Sequence, residues 1–286
     1  MGEIAIADEA ENRPAATPGG VERALTDEDR AALERAVLAL ERPSLAARLS
    51  ALAGRPLEMI GRTLPALVTD RITSLTETAL NASLRAALNT LPENRRWSSP
   101  RLHRALAAAS GAFGGALGLA TLAVELPLST TLMLRAIADI AREHGEDLES
   151  PEAALACVQV FALGGRGGGE TVAESGYFAV RGALARTVSE AARYVAERSL
   201  LEEGAPVIVR LVAQVAARFG LVVSQKVAAQ AVPVIGALGG AAVNAAFMDH
   251  FLGIATAHFT VRRLEREYGA APVRALYEEV RAARGL

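Results

Sequence analysis

The chain contains 286 residues, of which 51% are hydrophobic and 22% are charged. These proportions exclude a disordered, collagen-like or low-complexity protein. Lysine and arginine (30) nearly balance aspartate and glutamate (32), which gives a formal charge of −2. Since an electrostatic nucleic-acid binder is strongly basic, we expect no nucleic-acid partner. The single cysteine, Cys157, excludes an internal disulfide and a cysteine-rich metal site, and it fits a reducing compartment.

Alanine occupies 60 of the 286 positions, whereas aromatic residues make up only 4%. Because alanine has the highest helix propensity, this composition favours an all-α fold. The first twenty residues are acidic and rich in proline and glycine, and they lack the basic and apolar regions of a secretory signal. We therefore expect a disordered N-terminal tail over residues 1–24 and a single compact helical domain over residues 25–286.

Helix signals follow one another along this domain. Thr26 precedes three acidic residues and predicts the N-cap of a helix that ends before Pro43. Apolar residues recur at helical spacing from Leu57 to Leu91, and Pro151 begins a further helix that ends in the glycine run from Gly164.

The segment that follows Pro206 is rich in β-branched residues, which are also compatible with a strand. A helix is preferred, because no alternating partner strand occurs elsewhere in the chain. Between the glycine run and Pro206, the apolar residues from Val180 to Val195 line one side of a predicted amphipathic surface helix.

An internal repeat relates two parts of the chain. Residues 111–116 read GAFGGA, and residues 236–241 read GALGGA, 125 positions later. Residues 142–145 (REHG) correspond to residues 266–269 (REYG), 124 positions later. Each unit is a Gly/Ala-rich helix followed by an amphipathic helix whose final glycine suits a left-handed cap. We predict two related helical hairpins that pack around a pseudo-twofold axis through their small residues.

The repeat aligns Glu125 with Asp249, so the paired hairpins would place these two acids near each other. His250 or Lys226 would then be the counter-charge, and Pro127 predicts a kink beside Glu125. Two interpretations stay open: acids that are buried and hydrogen-bonded for structural reasons, or a catalytic group of Glu125, Asp249 and His250. No HExxH or comparable ligand spacing occurs, so we expect neither a metal nor a cofactor.

Two uncharged stretches, residues 105–124 and 227–248, contain 20 and 22 residues and are long enough to span a membrane. The first contains only six strongly apolar residues, which contribute about −2 to −4 kcal/mol to insertion. The second contains Gln230, Pro233 and Asn244. The composition therefore favours buried core helices over membrane insertion.

Four segments resemble signature patterns of the EcsC protein family. They are ELPLSTTLMLRAIADIA at residues 125–141, CVQVFALG at 157–164, VPVIGALGGAAVN at 232–244 and HFTVRRLEREYG at 258–269. The resemblance extends from about residue 25 to the C terminus. Ala136 stands where the family patterns favour serine, which is a small departure.

The resemblance implies a bacterial helical protein on the cytoplasmic side of the membrane, with a link to the membrane or to an ABC transporter. Some members carry a peptidase label, but the family supplies no catalytic residue to transfer. We expect an accessory protein without enzymatic activity that is cytoplasmic or peripheral to the inner membrane and docks through its Gly/Ala-rich helices. The alternative is a peptidase-like hydrolase or metal-dependent enzyme that uses Glu125, Asp249 and His250. A purely structural interaction module is a third interpretation.

Overall fold

The computed structural model describes residues 24–41, 45, 49, 66–90, 122–165, 176–198, 205–230 and 236–286. Within these ranges the chain forms eight helices and no strand, which confirms the predicted all-α fold. In chain order they are α1 (Asp27–Glu41), α2 (Ala66–Thr90), α3 (Leu122–Glu143), α4 (Pro151–Leu163), α5 (Tyr177–Arg198), α6 (Pro206–Gln230), α7 (Gly236–Tyr268) and α8 (Ala270–Ala283).

Several predictions concern residues outside the described ranges. They include nearly all of the predicted tail and the first glycine motif of the repeat at residues 111–116. The duplication and its pseudo-twofold axis therefore stay predictions. Most of the uncharged stretch 105–124 also falls outside the described ranges.

Helix α4 forms the centre of the fold. All eleven residues from Ala153 to Leu163 are buried, and α2, α3, α5, α6 and α7 pack around the helix. A helix that is covered on every side needs no polar face, which explains its nearly uninterrupted apolar sequence. Cys157 lies fully buried within α4, and burial raises the pKa of its thiol to about 12. This environment is that of a packing residue rather than of a reactive thiol.

The C terminus of α4 contacts α6 and α7 at two glycines. A Cβ atom on Gly164 would collide with the Phe251 ring of α7, and one on Gly165 would collide with the Arg218 backbone of α6. Only glycine permits this close approach, so the predicted end of the helix also fixes how α4 meets its neighbours.

The segment after Pro206 forms helix α6, which confirms the preference for helix over strand. Helix α6 ends at Gln230 and α7 begins at Gly236. The described residues of the uncharged stretch 227–248 therefore belong to these two helices.

Helix α1 begins as predicted. The backbone N–H of Asp29 donates to Thr26 Oγ1 at 3.2 Å, and the Thr26 hydroxyl donates to the Asp29 carboxylate at 2.9 Å. The same carboxylate accepts hydrogen bonds from Arg263 at 2.8 Å and from the Tyr268 hydroxyl at 2.6 Å, both in α7. The cap that starts α1 thus also attaches this helix to the end of α7.

Helices α3 and α7 run parallel, and residues about 116–119 positions apart contact each other along the pair. Glu125 near the start of α3 contacts Asn244, 119 residues later, and His144 just beyond its end contacts Thr260, 116 residues later. Gly145 has the positive φ that the predicted cap needs (+77°), whereas Gly269 has φ +89° and ψ 154°, which lies outside the left-handed helical region. Two distinct polar clusters connect α3 and α7, one at each end of the helix pair.

Candidate functional site

Glu125 lies where α3, α6 and α7 meet. Its side chain is only 7% exposed, and its two carboxylate oxygens accept hydrogen bonds from Lys226 Nζ at 2.7 and 2.9 Å. The amide nitrogen of Asn244 donates to the same carboxylate at 3.0 Å. Of the two counter-charges that the sequence proposed for Glu125, the structure places Lys226 beside it.

The local sequence of α3 suits this position. Pro127 lies inside the helix and has no N–H for the carbonyl of the preceding turn. In the following turn, the hydroxyls of Ser129 and Thr130 donate to the Leu126 carbonyl, and Thr131 donates to the Pro127 carbonyl. These hydroxyls therefore bind backbone oxygens, an arrangement that often accompanies a bent helix and does not activate a nucleophile.

Lys226 is fully buried, and its Nζ lies 4.8 Å from the centroid of the Phe247 ring. Burial lowers the pKa of Lys226, while the charge of Glu125 and its hydrogen bonds oppose that shift. A buried pair of this kind holds its helices in one arrangement, and removal of a single partner leaves an uncompensated charge in the interior. The contacts thus describe a structural role for Glu125 and Lys226.

Asp249 and His250 lie on other sides of α7. At about 100° per residue, their side chains project about 140° and 120° away from that of Asn244, which contacts Glu125. His250 Nε2 donates to the Gly164 carbonyl at the end of α4, at 2.9 Å. Glu125, Lys226 and Asn244 therefore form one buried cluster, which we name the Glu125 cluster. The proposed catalytic use of Glu125, Asp249 and His250 stays a prediction.

A second polar cluster, not foreseen from the sequence, lies at the other end of α3. Gly145 in the left-handed conformation lets the Glu146 N–H donate to the Ala141 carbonyl at 3.0 Å, which is a Schellman ending. This turn places the buried Glu146 carboxylate against Arg262 and Arg266 of α7, and Arg262 binds it through two hydrogen bonds of 2.8 Å. Burial opposes ionisation of Glu146, but the hydrogen bonds and charges of the two arginines outweigh it and lower the pKa.

A third cluster joins α5 to α7. Arg181 binds Glu265 through two hydrogen bonds of 2.8 and 2.7 Å and also donates to the Tyr177 hydroxyl oxygen at 3.3 Å. The phenol can then donate its own proton to His258 Nδ1, which lies 2.9 Å away. Burial, with smaller contributions from the charges of Arg181 and Arg262, holds the pKa of His258 well below its usual value.

The second and third clusters share a sequence signal. Arg262, Glu265 and Arg266 follow His258 at spacings of three or four residues along α7. This pattern marks one side of a helix as charged. It does not indicate whether that side faces solvent or another helix, and only the fold supplies the partners Glu146 and Arg181.

The model of the EcsC protein family matches residues 29–264. The chain belongs to the EcsC protein family. No curated protein and no solved structure matched the chain. The match begins at Asp29 in α1 and ends at Leu264 in α7, so it includes the Glu125 cluster and leaves out α8, although the sequence resemblance was expected to reach the C terminus.

Among the described residues of this EcsC-family chain, no group of three or more histidine, cysteine, aspartate or glutamate side chains could hold a metal ion. Within the same residues, one helix, Pro206–Gln230, is long and apolar enough to cross a membrane by length and composition. The core helix of a soluble protein meets these criteria too. In α6, 44% of the most apolar 18-residue window is buried inside the protein.

Proposed function

We propose that this EcsC-family protein is a bacterial accessory protein without enzymatic activity that works at the cytoplasmic face of the inner membrane. It docks through the apolar surfaces of its helices, with the bilayer or an ABC transporter as its partner. The transporter is the partner that the family resemblance implies, whereas the membrane surface is also supported by the structure.

The observation that carries this proposal is the incomplete burial of α6. The helix is apolar enough for a membrane environment, yet the protein buries less than half of its most apolar window. Leu221 of α6 is 46% exposed. Contiguous exposed apolar surface marks sites that bind membranes or other proteins, and the part of α6 that the protein leaves uncovered is the basis for proposing such a surface.

The alternative function is a hydrolase or metal-dependent enzyme that uses Glu125, Asp249 and His250. A general acid or base must reach the proton that it transfers. The Glu125 carboxylate is instead hydrogen-bonded to Lys226 and Asn244 inside the protein, and His250 Nε2 donates to a main-chain carbonyl. These contacts favour the accessory role.

The decisive experiment is fractionation of cells that contain the untagged full-length protein, followed by flotation with protein-free vesicles. We expect the protein to sediment with membranes and to float with vesicles. Retention on native membranes without binding to vesicles would identify a membrane protein as the partner. Complete recovery in the soluble fraction, with no vesicle binding, would contradict the proposed function.

A further inference from the structure

The three helix ends around Glu125 are almost free of charge. Residues 122–134 of α3, 219–230 of α6 and 236–248 of α7 contain only two charged side chains, Glu125 and Lys226. Those two bind each other in the interior. We name the surface formed by these helix ends the uncharged end of the bundle, and it presents no ion to a partner from these three segments.

Large apolar side chains are exposed at the uncharged end. Val124 and Leu128 are 75% and 51% exposed and lie one turn apart on the same side of α3, flanking the buried Glu125. Leu221 of α6 is also exposed and lies about 7.5 Å along the helix axis from Lys226. Three of the four large apolar residues found exposed in the described part of the chain therefore lie at this end.

The opposite end of α3 and α7 has the reverse character. Arg142 and Glu143 end α3, Glu146 follows them, and Arg262 and Arg266 lie on the last turns of α7. Charged and uncharged side chains thus lie at different levels along α3 and α7. This separation is expected of a protein that presents one end to an apolar phase and the other to water.

We infer that the uncharged end contacts the bilayer directly, with Val124, Leu128 and Leu221 entering the boundary between headgroups and acyl chains. The inference rests on the proposed function and specifies its surface and its partner chemistry. Because the three segments offer no exposed cation, docking through them depends on apolar burial and needs no anionic headgroup. Binding should therefore vary little with salt, since screening weakens only interactions between charges.

The test is flotation of the full-length protein with vesicles of phosphatidylcholine alone and of phosphatidylcholine mixed with phosphatidylglycerol, at low and high salt. The variant Val124→Thr/Leu128→Gln makes the exposed pair polar without adding charge next to Glu125. The control Val209→Thr makes a similar change in the first turn of α6, about 25 Å along the helix from Lys226. Both changes affect exposed side chains, and thermal unfolding will verify that each variant folds.

We expect the wild-type protein and Val209→Thr to bind both kinds of vesicle equally at both salt concentrations. The double variant should bind at least about 10-fold more weakly, since it loses the burial of two large apolar side chains. Unchanged binding by the double variant would overturn the inference. Binding that requires phosphatidylglycerol or disappears at high salt would overturn it as well, because electrostatic docking would then dominate.

Two further results separate this inference from the proposed function. Wild-type protein that binds native membranes but not protein-free vesicles would overturn direct lipid contact and leave the membrane role intact, whereas absence from both would overturn both. If the double variant also converts a dimer to a monomer in size-exclusion chromatography, the surface binds a second copy of the chain, and the inference fails.

Discussion

The two ends of the α3–α7 pair each bind a buried carboxylate, but they do so with different residues. Each end buries one carboxylate of the α3 region, Glu125 at one end and Glu146 at the other. Glu125 is bound in the interior by the buried Lys226 and by the Asn244 amide. Glu146 is bound by Arg262 and Arg266, which are partly exposed. An arginine can bind a carboxylate with its planar group and still reach water, but a lysine ammonium is a compact charge that the Glu125 site encloses fully.

This difference determines which surface each end presents. Enclosing Lys226 removes both charges from the uncharged end and leaves apolar side chains outside, whereas the arginines keep charge at the surface of the other end. The comparison also predicts unequal losses of stability. Removal of one partner should lower the free energy of unfolding more where both charges are sealed from water.

The largest effect is expected for Lys226→Met. This variant leaves the Glu125 carboxylate buried without its cation, and we expect it to lower the free energy of unfolding by about 3–5 kcal/mol. Urea denaturation monitored by circular dichroism measures this loss. The double variant Glu125→Leu/Lys226→Met should recover most of the stability, because neither charge is then left alone in the interior. A single variant as stable as the wild type would show that the pair is not sealed.

We name the opposite end of α3 and α7, where Glu146 meets Arg262 and Arg266, the charged end. There, Glu146→Gln should lower the free energy of unfolding by less, about 1.5–3 kcal/mol, because it removes hydrogen bonds to charged groups. Arg262 and Arg266 are partly exposed and can be hydrated after the change. Glu190→Gln is the matched control, since Glu190 pairs with Arg186 on the surface and its loss should leave urea denaturation unchanged. Equal losses for Glu146→Gln and Lys226→Met would refute the proposed difference between the ends.

The sequence predicted the features that depend on local signals. The cap at Thr26, the end of α4 at the glycines and the helix after Pro206 each follow from a few neighbouring residues, and all are confirmed. The alignment of Glu125 with Asp249 compares positions along the chain and does not fix the rotation of α7 about its axis. Asn244, five residues before Asp249, is the residue that faces Glu125.

Lys226 was considered only as one of two counter-charges, because nothing in the sequence of α6 shows which neighbour its buried face contacts. No local sequence pattern indicated that Glu146 would be buried or paired with arginine. Its partners Arg262 and Arg266 lie more than a hundred residues away, and their pairing depends on the parallel packing of α3 and α7. Contacts of this range follow from tertiary structure rather than from local pattern.

The burial of His258, assisted by the charges of Arg181 and Arg262, should also make stability depend on pH. Its pKa is lower in the folded protein than the 6.5 expected when unfolded, so the unfolded chain binds more protons below about pH 6.5. Stability should therefore fall as pH drops below that value, with a slope of at most about 1.4 kcal/mol per pH unit for one group. Urea denaturation between pH 7.5 and 5 measures this slope, in a range where most carboxylates are ionised.

His258→Gln is the appropriate comparison, because the glutamine amide oxygen can accept the Tyr177 hydroxyl proton but does not titrate in this range. The variant should lose part of the slope between pH 6.5 and 5. An identical slope in the variant and the wild type would assign the acid sensitivity to other groups.

The smallest effect is expected for Thr26→Ala, which removes the cap of α1 at the charged end. The Asp29 N–H loses its acceptor, and we expect a loss of about 0.5–1 kcal/mol, because the site is exposed and water can replace the hydroxyl. Hydrogen exchange of the first-turn amides of α1 measures it more directly than global denaturation. The Asp29 contacts with Arg263 and Tyr268 should keep α1 attached to α7, so exchange should accelerate at the first turn and stay unchanged from Leu33 to Leu40. Faster exchange along all of α1 would instead mean that the cap, and not the contact with α7, holds this helix in place.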